Sequence, residues 1–192
     1  IGFMFAPSHH SAMKHVVGPR KEIGQKSIFN ILGPLTNPAS AKRQLMGVYD
    51  KKWMLPIAEV LKELGSEHLF IVHSEDGLDE ISIAAPTSVV EMKNGNISEF
   101  QINPEDFGFK ASSLEGLEVN SPEQSLEIAK LALKGEHEKA SAMIAMTAGA
   151  ALYISDIADS LDSGVQLAKD CIKEGGGIKK LNQLIDYSST FK

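Results

Sequence analysis

Two short stretches hold the residue types best suited to chemistry. In the first, Phe5-Ala6-Pro7, His10 and Arg20 precede Phe29-Asn30-Ile31-Leu32-Gly33-Pro34-Leu35-Thr36-Asn37-Pro38. Glycine and proline packed this densely among apolar residues predict a rigid corner, not a loose linker. The Asn30–Pro38 segment itself reads as a stiff support beneath a sheet. The stretch as a whole could instead form a fixed wall for a ligand, with Arg20 pointing into it. A guanidinium pairs with carboxylate or phosphate through two parallel hydrogen bonds. On spacing alone, a solvated surface charge is the commoner fate of such an arginine.

The second stretch is His73-Ser74-Glu75-Asp76-Gly77-Leu78-Asp79-Glu80. It follows an apolar β run, and ligands of open parallel sheets bind beyond the carboxyl ends of strands. Asp79 and Glu80 are hard oxygen donors of the kind magnesium takes alongside substrate phosphates. A bare acidic pair is more commonly a solvated turn, and its place after a strand is what favours the metal. His73 could orient a neighbour or stabilise charge. His10 and His15 are five apart, off the spacing of a helical zinc site. His15 and His137 read as surface residues and His68 as a strand-entry residue. Gly175-Gly176-Gly177 follows a predicted helix and reads as its cap and a flexible turn, and Cys171 as core packing.

The elements that must position these residues are legible from periodicity. Helical turns fit 11–17 and 27–32, with Gly18-Pro19 and Gly33-Pro34 as turn signals. A strand at 44–49, an amphipathic helix at 51–64 and a central strand at 69–73 make one βαβ unit with parallel pairing. Strands at 88–93 and 97–102 flank Asn94-Gly95-Asn96, a hairpin signal. The 103–120 stretch reads as a surface excursion. Helices follow at about 122–134, 137–158, 161–174 and 178–187, the first capped by Ser121-Pro122-Glu123-Gln124. No linker or repeat intervenes, so residues 1–192 read as a single α/β domain.

The 192 residues are 43% hydrophobic and 23% charged, an ordinary globular composition, with a formal net charge of −6. That acidity offers nothing to nucleic acid. The apolar stretch at 140–154 is short for a bilayer span, so no membrane association is expected. One cysteine excludes an internal disulfide and makes the reducing cytosol the default address.

Gly2-Phe3-Met4-Phe5-Ala6-Pro7 with His10, Arg20 with Ile23-Gly24, the Phe29–Pro38 string and Gly77-Leu78-Asp79-Glu80 together resemble the anthranilate phosphoribosyltransferase family. The resemblance extends through Ala148–Tyr153 and Ser160-Leu161 to Gly164. It implies the C-terminal portion of a nucleoside phosphorylase/phosphoribosyltransferase-like α/β domain, a mostly parallel sheet with flanking helices. It implies transfer of a phosphoribosyl group from phosphoribosyl pyrophosphate (PRPP) to anthranilate in tryptophan biosynthesis, by a cytoplasmic, magnesium-dependent enzyme that is homodimeric at full length. Arg20 matches the arginine that binds the anthranilate carboxylate, Asp79 and Glu80 the metal pair, and Ala6, Pro7 and His10 the channel by which anthranilate enters. Pro19, Met13 and Thr147 depart from the family pattern. The family's glycine-rich pyrophosphate loop, Asn-x-Ser-Thr segment and Lys-His-Gly-Asn motif do not occur in these residues, which implies a partial chain, inactive alone. A pyrimidine-nucleoside phosphorylase relative and a non-catalytic binding homologue of the same fold are the competing readings.

Overall fold

The computed structural model describes residues 2, 4, 9, 15–24 and 29–191. The chain divides into two compact units, 1–42 and 43–192.

In the first unit, α1 (Val17–Ile23) begins on Val17-Gly18-Pro19. A proline in the first turn costs no helical hydrogen bond, because that N–H has no partner there anyway. Gly24, at φ +62°, follows the helix end. The second helix, α2 (Phe29–Leu35), carries Pro34 within it. Both Gly-Pro pairs, read as turn signals, therefore lie inside short helices. Beyond α2, Thr36 Oγ1 donates to the Leu32 carbonyl (3.0 Å) and Asn37 Oδ1 accepts from the Ala39 N–H (2.9 Å).

In the second unit, β1 (Arg43–Gly47) leads through a 3-10 turn (Lys51–Trp53) into α3 (Met54–Glu63), then β2 (His68–Ser74). Met54, Ile57, Ala58 and Leu61 form the buried stripe of α3, at the spacing of one helical face. β1 and β2 are parallel, as the βαβ reading requires. Next come β3 (Thr87–Lys93) and β4 (Asn96–Ile102), joined by Asn94 and Gly95 at φ +51° and +80°. Two successive positive φ values are the hairpin geometry that Asn-Gly favours. The strand order is β1-β2-β3-β4, and both later pairings are antiparallel. The α/β class holds, but among the described residues the sheet is mixed: the mostly parallel expectation is met by β1 and β2 alone. The short Asn-Gly connection accounts for the β3–β4 pairing, since it can only return the chain antiparallel, and the 75–86 loop reverses the chain between β2 and β3 without a crossover helix.

Four helices follow: α4 (Pro122–Lys134), α5 (Glu138–Ile154), α6 (Leu161–Lys173) and α7 (Gly176–Ser189). Ser121 Oγ accepts from the Gln124 N–H (3.2 Å), as its cap motif predicts. His137 caps α5 by accepting from the Ala140 N–H (3.3 Å). The main core joins Phe70, Val72 and Val89 of the sheet to Met146, Ala150 and Ile154 of α5 and Val165 of α6. Where α5 meets α6, a β-carbon on Gly149 would lie 2.5 Å from Val165 Cα, and one on Gly164 would overlap the Gly149 carbonyl oxygen. The two backbones touch directly.

A half-buried polar cluster lies between sheet and α5, with His68 its one fully buried member. His68 Nε2 and the Tyr153 hydroxyl both reach Glu91 Oε1, at 2.7 and 3.0 Å, and Lys93 Nζ lies 4.7 Å from the Tyr153 ring centroid.

Three readings are corrected. The 103–120 stretch is not merely a surface excursion: Phe107 is buried, and Phe109, Leu114 and Leu117 pack against the core. Gly175 alone is left-handed (φ +71°), while Gly176 and Gly177 open α7, with Cys171 Sγ and the Leu133 side chain where their β-carbons would be. Cys171 is exposed and is not part of the core.

Candidate active site beyond the parallel strands

Parallel pairing sends the carboxyl ends of β1 and β2 to one edge, where a sheet of this kind takes its ligands. Just past β1, the Val48 N–H donates to the Val72 carbonyl (3.0 Å), and His73 Nδ1 lies 2.8 Å from the Val48 carbonyl oxygen. A carbonyl can only accept, so Nδ1 carries a proton. His73 thus orients its neighbouring strand end, one of the roles its position suggested. Asp50 caps the 3-10 turn by accepting from the Lys52 N–H (3.1 Å) and pairs with Lys52 Nζ (2.6 Å). The hydrogen bond from Lys52 holds the Asp50 carboxyl below its ordinary range.

Residues 75–86 form the loop from β2 to β3. The Ser74 N–H donates to the Leu78 carbonyl (2.9 Å) and the Glu75 N–H to the Pro86 carbonyl (3.0 Å), closing the loop at its base. Gly77, at φ +92°, turns the chain in a conformation that excludes most side chains. Asp76 Oδ1 accepts from the Leu78 N–H (3.1 Å), and Asp76 Oδ2 from the Ser82 hydroxyl (2.5 Å). Burial pushes the Asp76 carboxyl up, but hydrogen bonds from Ser82, Leu78 and Ser74 outweigh it and hold the group below its ordinary value.

Asp79 and Glu80 stand exposed on this loop. Among the described residues no side-chain hydrogen bond or ion pair engages either carboxylate. Burial, and then the charge of Asp79, push the Glu80 carboxyl above its usual range. The loop rests on β1: a β-carbon on Gly47 would overlap the Asp79 carbonyl oxygen.

Two adjacent carboxylates with no cation partner among the described residues are a donor set that fits magnesium. No group of three or more metal-ligating side chains occurs among the described residues, so water and phosphate oxygens would complete the coordination. Of Arg20 only the backbone is described, in α1. Ala6, Pro7 and His10 lie outside the described residues. Gly47, Asp76 and Ser82 escaped the sequence reading. A glycine closing a strand is the usual sign of close backbone approach, so Gly47 was findable; Ser82 offered no signal.

The chain matches the glycosyl transferase family, a/b domain, over residues 1–178. It belongs to that family. A curated relative from Marinomonas sp. (strain MWYL1), an anthranilate phosphoribosyltransferase, is 55% identical over 193 residues, covering 100% of this chain and 56% of the relative. The chain thus spans about half the length of the curated relatives it matches. The anthranilate phosphoribosyltransferase of Thermus thermophilus superposes with TM-score 0.88 at 36% identity, over 97% of this chain and 55% of that one. The Saccharomyces cerevisiae enzyme in complex with PRPP and Mg gives TM-score 0.82 at 28% identity, over 94% of this chain and 52% of that one. The same yeast enzyme in complex with 4-fluoroanthranilate gives 0.86 at 28%, over 98% and 55%. These likenesses bear out the family resemblance read from the sequence. No helix among the described residues is long and apolar enough to cross a membrane.

Proposed function

We propose that this chain is an α/β domain of an anthranilate phosphoribosyltransferase, whose full-length form joins anthranilate to PRPP and releases pyrophosphate. The observation that carries the reading is the acidic pair Asp79 and Glu80, unpaired among the described residues and held beyond the carboxyl ends of two parallel strands in a chain 55% identical to an enzyme of that name. The proposal includes magnesium as cofactor, a cytoplasmic setting and a homodimer. The yeast relative solved with PRPP and Mg, and its complex with 4-fluoroanthranilate, support the substrates and the ion.

Asp79 and Glu80 would hold the metal, leaving its remaining positions to water and diphosphate oxygens. Magnesium, when bound, neutralises charge on the departing pyrophosphate. Arg20 is assigned to the anthranilate carboxylate, fixing the amine for attack on the anomeric carbon, and Ala6, Pro7 and His10 to the path by which anthranilate arrives. The anthranilate amine is already neutral at pH 7, so no strong base is needed. Positioning supplies much of the rate.

The test is loss of anthranilate fluorescence with purified full-length protein, PRPP and magnesium. Turnover that stops on chelation is the expected result. Phosphorolysis of pyrimidine nucleosides without anthranilate consumption would instead select the phosphorylase reading, which nothing in the comparisons favours.

A further inference from the structure

We propose that Asp76 is a positioning residue for the acidic pair, acting with Ser82 as a clamp across the arc that carries it. The inference rests on the metal reading above. Asp76 touches both limbs of the arc: Oδ1 takes the Leu78 N–H just before Asp79, and Oδ2 takes the Ser82 hydroxyl just after Ile81. One carboxylate therefore ties residue 78 to residue 82 with the metal pair between them. Both its oxygens are occupied by donors, which separates it from Asp79 and Glu80 and marks it as a brace, not a further ligand.

The clamp is anchored in the sheet. Ser82 is 1% exposed, its N–H donates to Thr87 Oγ1 (3.1 Å), and its hydroxyl accepts from the Ala84 N–H (2.9 Å). Thr87, also 1% exposed, is the first residue of β3. From below, Gly47 lets the arc sit directly on the end of β1. The arc is therefore bound to β3 through Ser82 and seated on β1, and Asp76 closes it. Two neighbouring carboxylates repel each other and would otherwise splay. The clamp fixes their backbone against that repulsion, so metal binding need not order the loop.

Three substitutions separate the parts. Ser82→Ala removes one tether and leaves Asp79, Glu80 and the Leu78 bond in place. Asp76→Ala removes both tethers. Asp76→Asn keeps an acceptor for Leu78 and offers its amide to the Ser82 oxygen. Mn2+ binding to the full-length protein in the presence of inorganic pyrophosphate, read by electron paramagnetic resonance, is the measurement, with folding checked by circular dichroism. Affinity is expected to fall about three- to tenfold in Ser82→Ala and further in Asp76→Ala, and to recover largely in Asp76→Asn. The KM for anthranilate should not move. Wild-type Mn2+ affinity in folded Ser82→Ala and Asp76→Ala, while Asp79→Asn with Glu80→Gln loses binding, overturns the clamp and leaves the metal reading standing. Wild-type affinity in that double variant overturns the metal reading itself, and the clamp with it. If Asp76→Ala does not fold, unchanged affinity in Ser82→Ala alone overturns the clamp.

Discussion

Gly47 and Asp79 are in backbone contact, so close that a β-carbon at position 47 would overlap the Asp79 carbonyl oxygen. Backbone cannot swing aside as the tip of a side chain can, so even a methyl group must push the acidic loop off the strand. Gly47→Ala should cost about 1–3 kcal/mol of stability and raise the magnesium concentration needed for half-maximal turnover. Thermal denaturation and a magnesium titration check both. A variant with wild-type values for each would show that the loop relaxes freely.

Replacing the pair itself should separate chemistry from folding. Asp79→Asn with Glu80→Gln leaves the loop's hydrogen bonds intact, since none that is described uses these carboxylates. Turnover at sub-saturating magnesium is expected to fall by more than about tenfold, with the melting temperature within about 3 °C of wild type. Equal activity across the titration would reduce the pair to a solvated turn.

How much of this was legible beforehand depends on what kind of information each residue carries. An unbroken apolar run marks β2 and helical apolar spacing marks α3, because burial on two faces or one stripe leaves a one-dimensional trace. Asn94-Gly95 announced its hairpin through backbone preference alone. Asp79 and Glu80 were visible by type and by their place after a strand. The contact of Gly47 with Asp79 joins residues far apart in the chain: a strand-ending glycine hints at close backbone approach but does not name its partner. Likewise Phe107 and Leu114 lack helical or strand spacing, so their packing against the core went unread.

Arg20 is where the ligand reading and a solvated charge differ most. A carboxylate clamp in a partly dry site gains about 1.5–3 kcal/mol per charge-assisted hydrogen bond. Arg20→Ala should therefore raise the KM for anthranilate roughly ten- to a hundredfold with a smaller effect on PRPP, and Arg20→Lys should recover only part. Steady-state kinetics varying each substrate decide it. Equal damage to both constants would indicate loop collapse.

Asp76 also predicts a pH dependence. Its folded carboxyl lies below the ordinary value of 3.8, with the Ser82 and Leu78 hydrogen bonds outweighing burial. A depressed pKa adds stability that is fully present above the unfolded value and lost as pH falls through the folded one. Wild type should therefore exceed Asp76→Asn in melting temperature near about pH 6, and the gap should shrink as pH falls below the ordinary carboxyl value of 3.8. The gap should stay under about 1 kcal/mol, because the group is largely exposed and solvent screens it. A gap that widens on acidification would contradict the assignment.

The crossing of α5 and α6 is also closed to a larger residue. Gly149→Ala would drive its methyl against Val165 Cα and N, each 2.5 Å away, and should cost about 1–3 kcal/mol or more. Chemical denaturation measures it. Thr147→Ala, one helical half-turn away and half-buried, should cost less than Gly149→Ala.

The half-buried cluster of His68, Glu91, Tyr153 and Lys93 acts as a key for strand alignment. Phe70 stands opposite Glu91 and His68 opposite Lys93 in the β2–β3 ladder. Sliding β3 by a single residue would turn Glu91 and Lys93 toward α3 and leave His68 facing Tyr153 with no anion between them. An all-apolar interface would forgive that slip; this one penalises it with a stranded polar ring. Since β3 also anchors Ser82 through Thr87, the same key sets where the acidic loop ends.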